Sequence, residues 1–421
     1  MTTTPPVGQS IFGLTVNFSG LVGRFRAFRR SISKRQLLLE FAPTSLTIAE
    51  ARFTGDDIEY NHLKRVSLPA GVCERGVPNE PEKMATLIKS LCEEDNIYAH
   101  RAVAVVPPEA AFTKLIQVPA ELNIQEAWDF INDPTCGIQI PIPLQQTDFD
   151  IIPVALPFRG GEDQGFQTYF LSSIPKKIVD QLVQTLQQSD LELYGLELSF
   201  FSQLRLIATE VSSLLPAEYC LMLELLPECT HLTVAIASGP IAVERMSAVR
   251  EFPEPDLLEN QKDIDYKFAE AAVIADEKYL PISELDLRVL AKEVSQYIKN
   301  FSIQRSTLTC KKVYLSGVNS AHPEIAELLS LAIGYPVEVV RAMGASGVGN
   351  VSFSSALLHQ SLGRILGIGL TIIPEGDQDD LSLTKHTSKT FEVEETTHQS
   401  TTIDEKEEEV EKEVVAEKIE E

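Results

Sequence analysis

A chain of 421 residues with 61 acidic against 36 basic side chains, net charge −25, lacks the basic footprint of a general nucleic-acid binder. Apolar content of 44% with 23% charged residues is that of a soluble globular protein, long enough for two domains with cores of their own. Six cysteines without CxxC spacing (Cys73, Cys92, Cys136, Cys220, Cys229, Cys310) fit reduced thiols in a cytosol and neither a disulfide framework nor a zinc motif.

In chain order, the first segment, 1–34, has no acidic residue. Phe18, Leu21, Val22, Phe25, Phe28 and Ile32 recur at helical spacing, with Arg26, Arg30 and Lys34 opposite and Arg24, Arg29 and Arg35 nearer the boundary. A basic amphipathic helix of this kind suits an anionic membrane surface or a partner, through Phe25, Phe28, Arg24, Arg26, Arg29 and Arg30. The other reading is a flexible leader, or an arm folding onto the chain's own acidic tail.

Residues 36–68 predict three strands, QLLLEFA, SLTIAEARF and IEYNHLKRVSLP. NEPEKMATLIKSLCEED predicts a helix capped by Asn79 with Pro81 in its first turn. Strands RAVAVVP and FTKLIQVP, a helix over 123–132, strand DFDIIPVALPF and strand FQTYFLSS follow. Then come helix KKIVDQLVQTLQQSD, strand LELYGLEL and helix SFFSQLRLIATEV. A second round opens after Pro216 with three more strands over 218–246, repeating the opening at 36–68. A helical region over about 257–303, strand KKVYLSGV, helix PEIAELLSLAIG, strand PVEVVRAM and a closing helix around 354–365 complete it. GASGVGN at 344–350 reads as a loop, and His62, His100, His231, His322 and His359 show no metal spacing. Trp128, the single tryptophan, reads as a packing residue on an amphipathic helix. The run LGRILGIGLTII at 362–373 is too short to cross a bilayer and is interrupted by Arg364. From Gly376 the chain is Ser/Thr-rich and then acidic, a composition that predicts disorder.

Alternating strands and helices in two related halves predict an α/β, two-lobed duplicated fold. In that layout VVPPEAAFTKLIQVP, IPIPLQQTDFDIIPV, FLSSIPKKIVDQLVQTLQQSDLELYGLELSFFSQLRL and VYLSGVNSAHPEIAELLSLAIGYPVEVV stand in order. Together they resemble the PilM family of type IV pilus assembly proteins, within the actin-like (RNase H-like) ATPase fold; the next nearest resemblance is FtsA, the cell-division member. The resemblance covers about 36–370 and implies a first lobe 35–215 with an inserted subdomain near 72–165 and a second lobe 216–373; the basic extension 1–34 and the disordered tail 374–421 lie beyond it and rest on composition alone.

The resemblance also implies phosphate-binding hairpins, written roughly Asp-apolar-Gly-x-x-Ser/Thr, and an ATP with Mg²⁺ between the lobes. The counterparts here are Glu40-Phe41-Ala42-Pro43-Thr44-Ser45 and Glu224-Leu225-Leu226-Pro227-Glu228-Cys229-Thr230. Each has Glu for Asp, loses the glycine and gains a proline that donates no N–H. LSGV keeps Gly317 of the usual glycine pair. Glu40, Thr44, Ser45, Glu224, Thr230, Ser316 and Gly317 are therefore either remnant ATP contacts or ordinary residues of an inherited scaffold. No residue is assigned as catalytic. The resemblance further implies a cytoplasmic scaffold at the inner membrane, with pilus loss and impaired motility or DNA uptake on deletion. Its partner is a PilN-like membrane protein whose N-terminal segment enters a groove; Phe149, Ile152 and Ile178 are candidates for its wall, with core packing as the other reading of each. Pilus motor components are further candidate partners. An ATP-hydrolysing enzyme and an FtsA-like membrane-tethered filament are the alternatives.

Overall fold

Leu37, Leu38 and Leu39 are consecutive, β-compatible and wholly buried, which requires a strand covered on both faces. That strand, β3 (Arg35–Phe41), is the centre of the larger sheet in a computed structural model of the chain. The structure describes residues 9–11, 14–16, 35–54, 56–69, 71–138, 141–157, 165–249, 283–354 and 359–372. The basic segment bearing Phe25, Phe28, Arg24, Arg26, Arg29 and Arg30, the first part of the helical region expected over 257–303, and the acidic tail lie outside the described residues.

A short hairpin, β1 (Gln9–Ile11) with β2 (Leu14–Val16), comes first. Strands β3, β4 (Ser45–Thr54) and β5 (Asp57–Ser67) form an antiparallel meander. After the two-residue strands β6 (Cys73–Glu74) and β7 (Val77–Pro78) comes helix α1 (Pro81–Glu94). Its N-cap is Glu80 without a side-chain cap, one residue after the expected Asn79, whose amide donates to Glu74 at 3.1 Å. Strands β8 (Arg101–Val106) and β9 (Phe112–Pro119) lead to α2 (Ile124–Asn132), which starts in a complete capping box of Asn123 and Glu126. Then follow β10 (Thr147–Val154), β11 (Phe166–Pro175), α3 (Lys176–Gln188) and β12 (Glu192–Leu198). The single helix expected over 199–211 is two, α4 (Ser199–Arg205) and α5 (Ala208–Ser212), with the backbone turning at Ile207.

The second round gives β13 (Glu218–Leu225), β14 (Thr230–Ile236) and β15 (Gly239–Met246). Helix α6 (Glu284–Gln304), β16 (Thr309–Ser316), α7 (Ile325–Ile333) and β17 (Val337–Val339) follow. The expected loop at 344–350 runs into a strand, β18 (Val348–Phe353), parallel to β5 and therefore back on the first sheet. The closing helix is α8 (Gly363–Gly369), preceded by a 3-10 turn over His359–Leu362.

The duplication is visible in the topology. One sheet runs β12-β8-β3-β4-β5-β18 and the other β15-β14-β13-β16-β17. Apart from β18, each is a meander whose first strand pairs in parallel with a later one, β3 with β8 and β13 with β16. This is the two-lobed α/β layout expected of an actin-like fold. A third sheet, β10-β11-β9, packs α2 over its own cluster around Val118, Ala127, Ile131 and Leu171.

Candidate functional site: the cleft between the hairpins and an apolar groove

Equivalent strand positions put equivalent carboxylates in the cleft. Glu40 lies opposite Thr47 near the end of β3, and Glu224 lies opposite His231 near the end of β13. Both are buried, and both line one cleft of about 640 Å³ with Thr44, Ser45 and Gly317. Thr230 and Ser316 are buried beside it without reaching its surface, and neither hydroxyl oxygen has a hydrogen-bond partner. Five of the seven residues predicted for this site thus come together at its wall.

What holds the cleft is a residue outside the predicted set. Arg364 from α8 is almost fully buried, and its Nε and Nη2 donate to the two Glu224 carboxylate oxygens at 2.6 and 2.8 Å. Its Nη1 lies 3.8 Å from Glu40 Oε1, so one guanidinium faces both hairpin carboxylates. Arg65 supports Glu40 from the other side at 3.6 Å and ties to Thr47 Oγ1 and the Ser361 carbonyl. Gln203 of α4 donates to Glu224 at 2.9 Å. Burial opposes ionisation of Glu224, yet Arg364 and His231 outweigh it and hold the carboxyl far below the usual range.

A second cluster continues from Glu224. His231 Nδ1 is 3.2 Å from Glu224 Oε2, and His231 Nε2 is 2.6 Å from Glu109 Oε1 on the 3-10 turn Pro108–Ala110 after β8. Cys229 Sγ lies 3.3 Å from His231 Nε2. Burial alone would lower the imidazole pKa; Cys229 and the two carboxylates reverse this and raise it to about 11. Glu109, although partly desolvated, is held at about 2 by His231.

Can this cleft take Mg-ATP? The two turns close identically, Ala42 N donating to Ser45 O at 3.0 Å and Leu226 N to Cys229 O at 2.9 Å. One amide of each turn is therefore spent internally, and the next residue is Pro43 or Pro227, which has none. The carboxylates that would hold the ion's water shell are turned to Arg364, whose fixed charge repels a divalent cation at that point. The remaining wall carries both signs, Glu74, Glu109 and Glu228 together with Arg65, Arg75 and Arg245. Gly317, at φ +84°, has a packing reason: a Cβ there would lie 2.5 Å from the Leu225 carbonyl oxygen. The residues present do not fit a Mg-triphosphate.

A second cavity, of about 530 Å³, opens between the small sheet and β12. Trp128, Phe149, Ile152, Ile174, Leu196 and Phe201 make it largely apolar, with Asp148, Asp150, Glu197 and Arg205 as its charges. Phe149 and Ile152 line this cavity, Ile152 also as a buried member of the main core, whereas Ile178 packs against that core and does not reach the lining. Trp128 stacks on Phe149 at 4.8 Å, so the expected packing residue also forms a wall. Burial pushes the Asp150 carboxyl up to about 6 against a hydrogen bond from Ile151 N. Both flanking strands, β10 and β12, are edge strands.

No family model and no curated protein matches the chain. Among solved structures, a chain of the PilM-PilN type IV pilus biogenesis complex superposes with a TM-score of 0.61 at 20% identity, over 80% of this chain and 98% of that one. The ethanolamine utilization protein EutJ from Carboxydothermus hydrogenoformans gives a TM-score of 0.39 at 12% identity, over 80% and 89% of the two chains. A Bacteroides thetaiotaomicron protein with actin-like ATPase fold gives 0.36 at 7% identity, over 73% and 90%. The chain thus has an actin-like α/β fold of the PilM kind.

Proposed function

We propose that the protein is a PilM-like scaffold of type IV pilus assembly that captures an extended cytoplasmic segment of a PilN-like membrane protein and does not hydrolyse ATP. The observation that carries this reading is the apolar groove between two edge strands. An extended peptide could add its backbone hydrogen bonds to β10 or β12 and drop alternate apolar side chains among Trp128, Phe149 and Phe201. Asp148 and Asp150 favour a segment that also carries a basic side chain. Likeness of fold to a chain of a PilM-PilN complex supports the choice of partner class. A scaffold needs no transition-state machinery, which accords with a cleft whose hairpin carboxylates are paired to Arg364. In this reading the protein works at the cytoplasmic face of the inner membrane, linking the membrane complex to the pilus motor and supporting motility and DNA uptake. Among the described residues no helix is long and apolar enough to cross a membrane. The basic N-terminal segment would add a peripheral contact.

Trp128 is the only tryptophan, so intrinsic emission reports on the groove directly. Titrating the full chain with a synthetic N-terminal PilN-like peptide should shift that emission saturably, and Phe149→Ala should weaken the binding at least about tenfold, as for a buried aromatic anchor. A folded protein whose emission does not respond, with no heat of binding, would overturn the proposal.

A further inference from the structure

We infer that Cys229, His231 and Glu109 form a binding site for one divalent transition-metal ion of the zinc class. The local sequence has no metal spacing, because the third donor arrives from the turn after β8, 122 residues away from His231. Thiolate, imidazole and one carboxylate make a donor set suited to zinc and unsuited to magnesium. Cys229 Sγ lies 3.3 Å from His231 Nε2 and 3.8 Å from Glu109 Oε1, and the remaining pair is 2.6 Å apart. Ordinary zinc bond lengths at tetrahedral angles separate such donors by about 3.4–3.6 Å. Only the carboxylate has to shift, by less than about 1 Å on the same geometry. Glu109 can make that shift, with its side chain 28% exposed.

The rest of the site is built. Cys229 and His231 are buried on the second hairpin, where the turn bond and the β13–β14 register fix their backbones. His231 Nδ1 faces Glu224, so Nε2 is the nitrogen presented to the cluster, an arrangement common behind zinc-bound histidines. Glu224 is itself oriented by Arg364 and Gln203. All three donors line the cleft, which leaves a fourth position open to water. Arg245 now reaches Glu109 at 3.5 Å, but its side chain is 61% exposed and free to turn to solvent. Among the described residues this is the only such group of three donors. Binding would shed the thiol proton and the proton held between His231 and Glu109, replacing them with an ion that joins the second hairpin to the first sheet's turn.

The test uses the full chain, stripped with a chelator and titrated first with Co²⁺ and then with Zn²⁺. Expected are one equivalent of Co²⁺, a thiolate-to-cobalt charge-transfer band with tetrahedral d–d absorption, and displacement of both by zinc. Cys229→Ser should abolish the charge-transfer band. Glu109→Ala, at a partly exposed turn that tolerates truncation, should keep the band and lose at least about tenfold in affinity. Circular dichroism reports whether each variant is folded; should C229S fail, the wild-type spectrum and E109A decide the matter. A wild-type spectrum without the band, a band that survives in C229S, or unchanged affinity in E109A would each overturn the assignment. None of these readouts depends on the pilus reading.

Discussion

Replacing Arg364 by methionine keeps most of the side-chain volume and removes only the charge, which makes it the cleanest perturbation of the cleft. Arg364 and Glu224 are 5% and 3% exposed, and two charge-assisted hydrogen bonds of 2.6 and 2.8 Å join them. Their attraction therefore acts with little solvent screening. Removing one partner of such a buried pair costs about 3–5 kcal/mol, because the other charge stays desolvated. His231 and Gln203 remain beside Glu224, which places R364M near the lower end of that range. The double variant R364M/E224M removes both charges and should recover part of that loss, since apolar replacement of a buried pair is close to neutral while Glu40 loses Arg364 and His231 and Gln203 lose Glu224. A comparison at the exposed Lys312–Glu338 pair, Lys312→Met, should cost less than about 1 kcal/mol. Urea unfolding followed by circular dichroism reads all three. A loss below about 1 kcal/mol for R364M, or a double variant as unstable as the single, would refute the view that this guanidinium neutralises the cleft.

The remaining predictions are narrower. Mg-ATP should leave the thermal midpoint of the full chain unchanged, where a ligand at a hundred times its Kd would add about 2.7 kcal/mol; a saturable rise would restore the cleft as a nucleotide site. Asp150 has a folded pKa raised to about 6, so its neutral form stabilises the fold fully below the unfolded value and that contribution is lost as pH rises through 6. Asp150→Asn should therefore match the parent near pH 4 and exceed it by up to about 3 kcal/mol at pH 8, with Asp148, Glu197 and Arg205 unchanged around it; a gain independent of pH would contradict this. Gly317→Ala should lower stability by about 1–3 kcal/mol from positive φ and the contact with the Leu225 backbone, read by the same denaturation.

Which parts the sequence could specify follows from where the information lies. The two meanders announce themselves because β-branched and apolar residues repeat locally, and Glu40 and Glu224 follow from the duplication. Asn79 misleads because the helix begins one residue later than its cap signal, with Glu80 as N-cap and Pro81 as first helical residue. Strand β18 escapes notice because Val348–Phe353 contains Gly349, Asn350 and Ser352, and only the exposed edge of β5 makes it a strand. Arg364 is the instructive case. In sequence it merely interrupts an apolar run, while its partner Glu224 lies 140 residues away. No periodicity connects two charges at that separation; only the closed cleft does.

The two cavities also share a support, and this bears on how a binding scaffold could be built from a nucleotide fold. On α4, Gln203 turns to the cleft and Arg205 to the groove. On α8, Arg364 turns to the cleft while the Gly367 carbonyl accepts from Arg205 at 2.9 Å. The helices meet so closely that a Cβ on Gly367 would lie 2.0 Å from the Ser202 carbonyl oxygen. Charges locked on one side of this helix pair thus fix the positions of groups that line the other. A nucleotide-driven machine has to open such a cleft on each cycle, whereas a groove that receives an extended peptide gains from walls already in place, since less order has to be created on binding. The ion pairs of Arg364 in one cavity are, on this view, what holds the other ready.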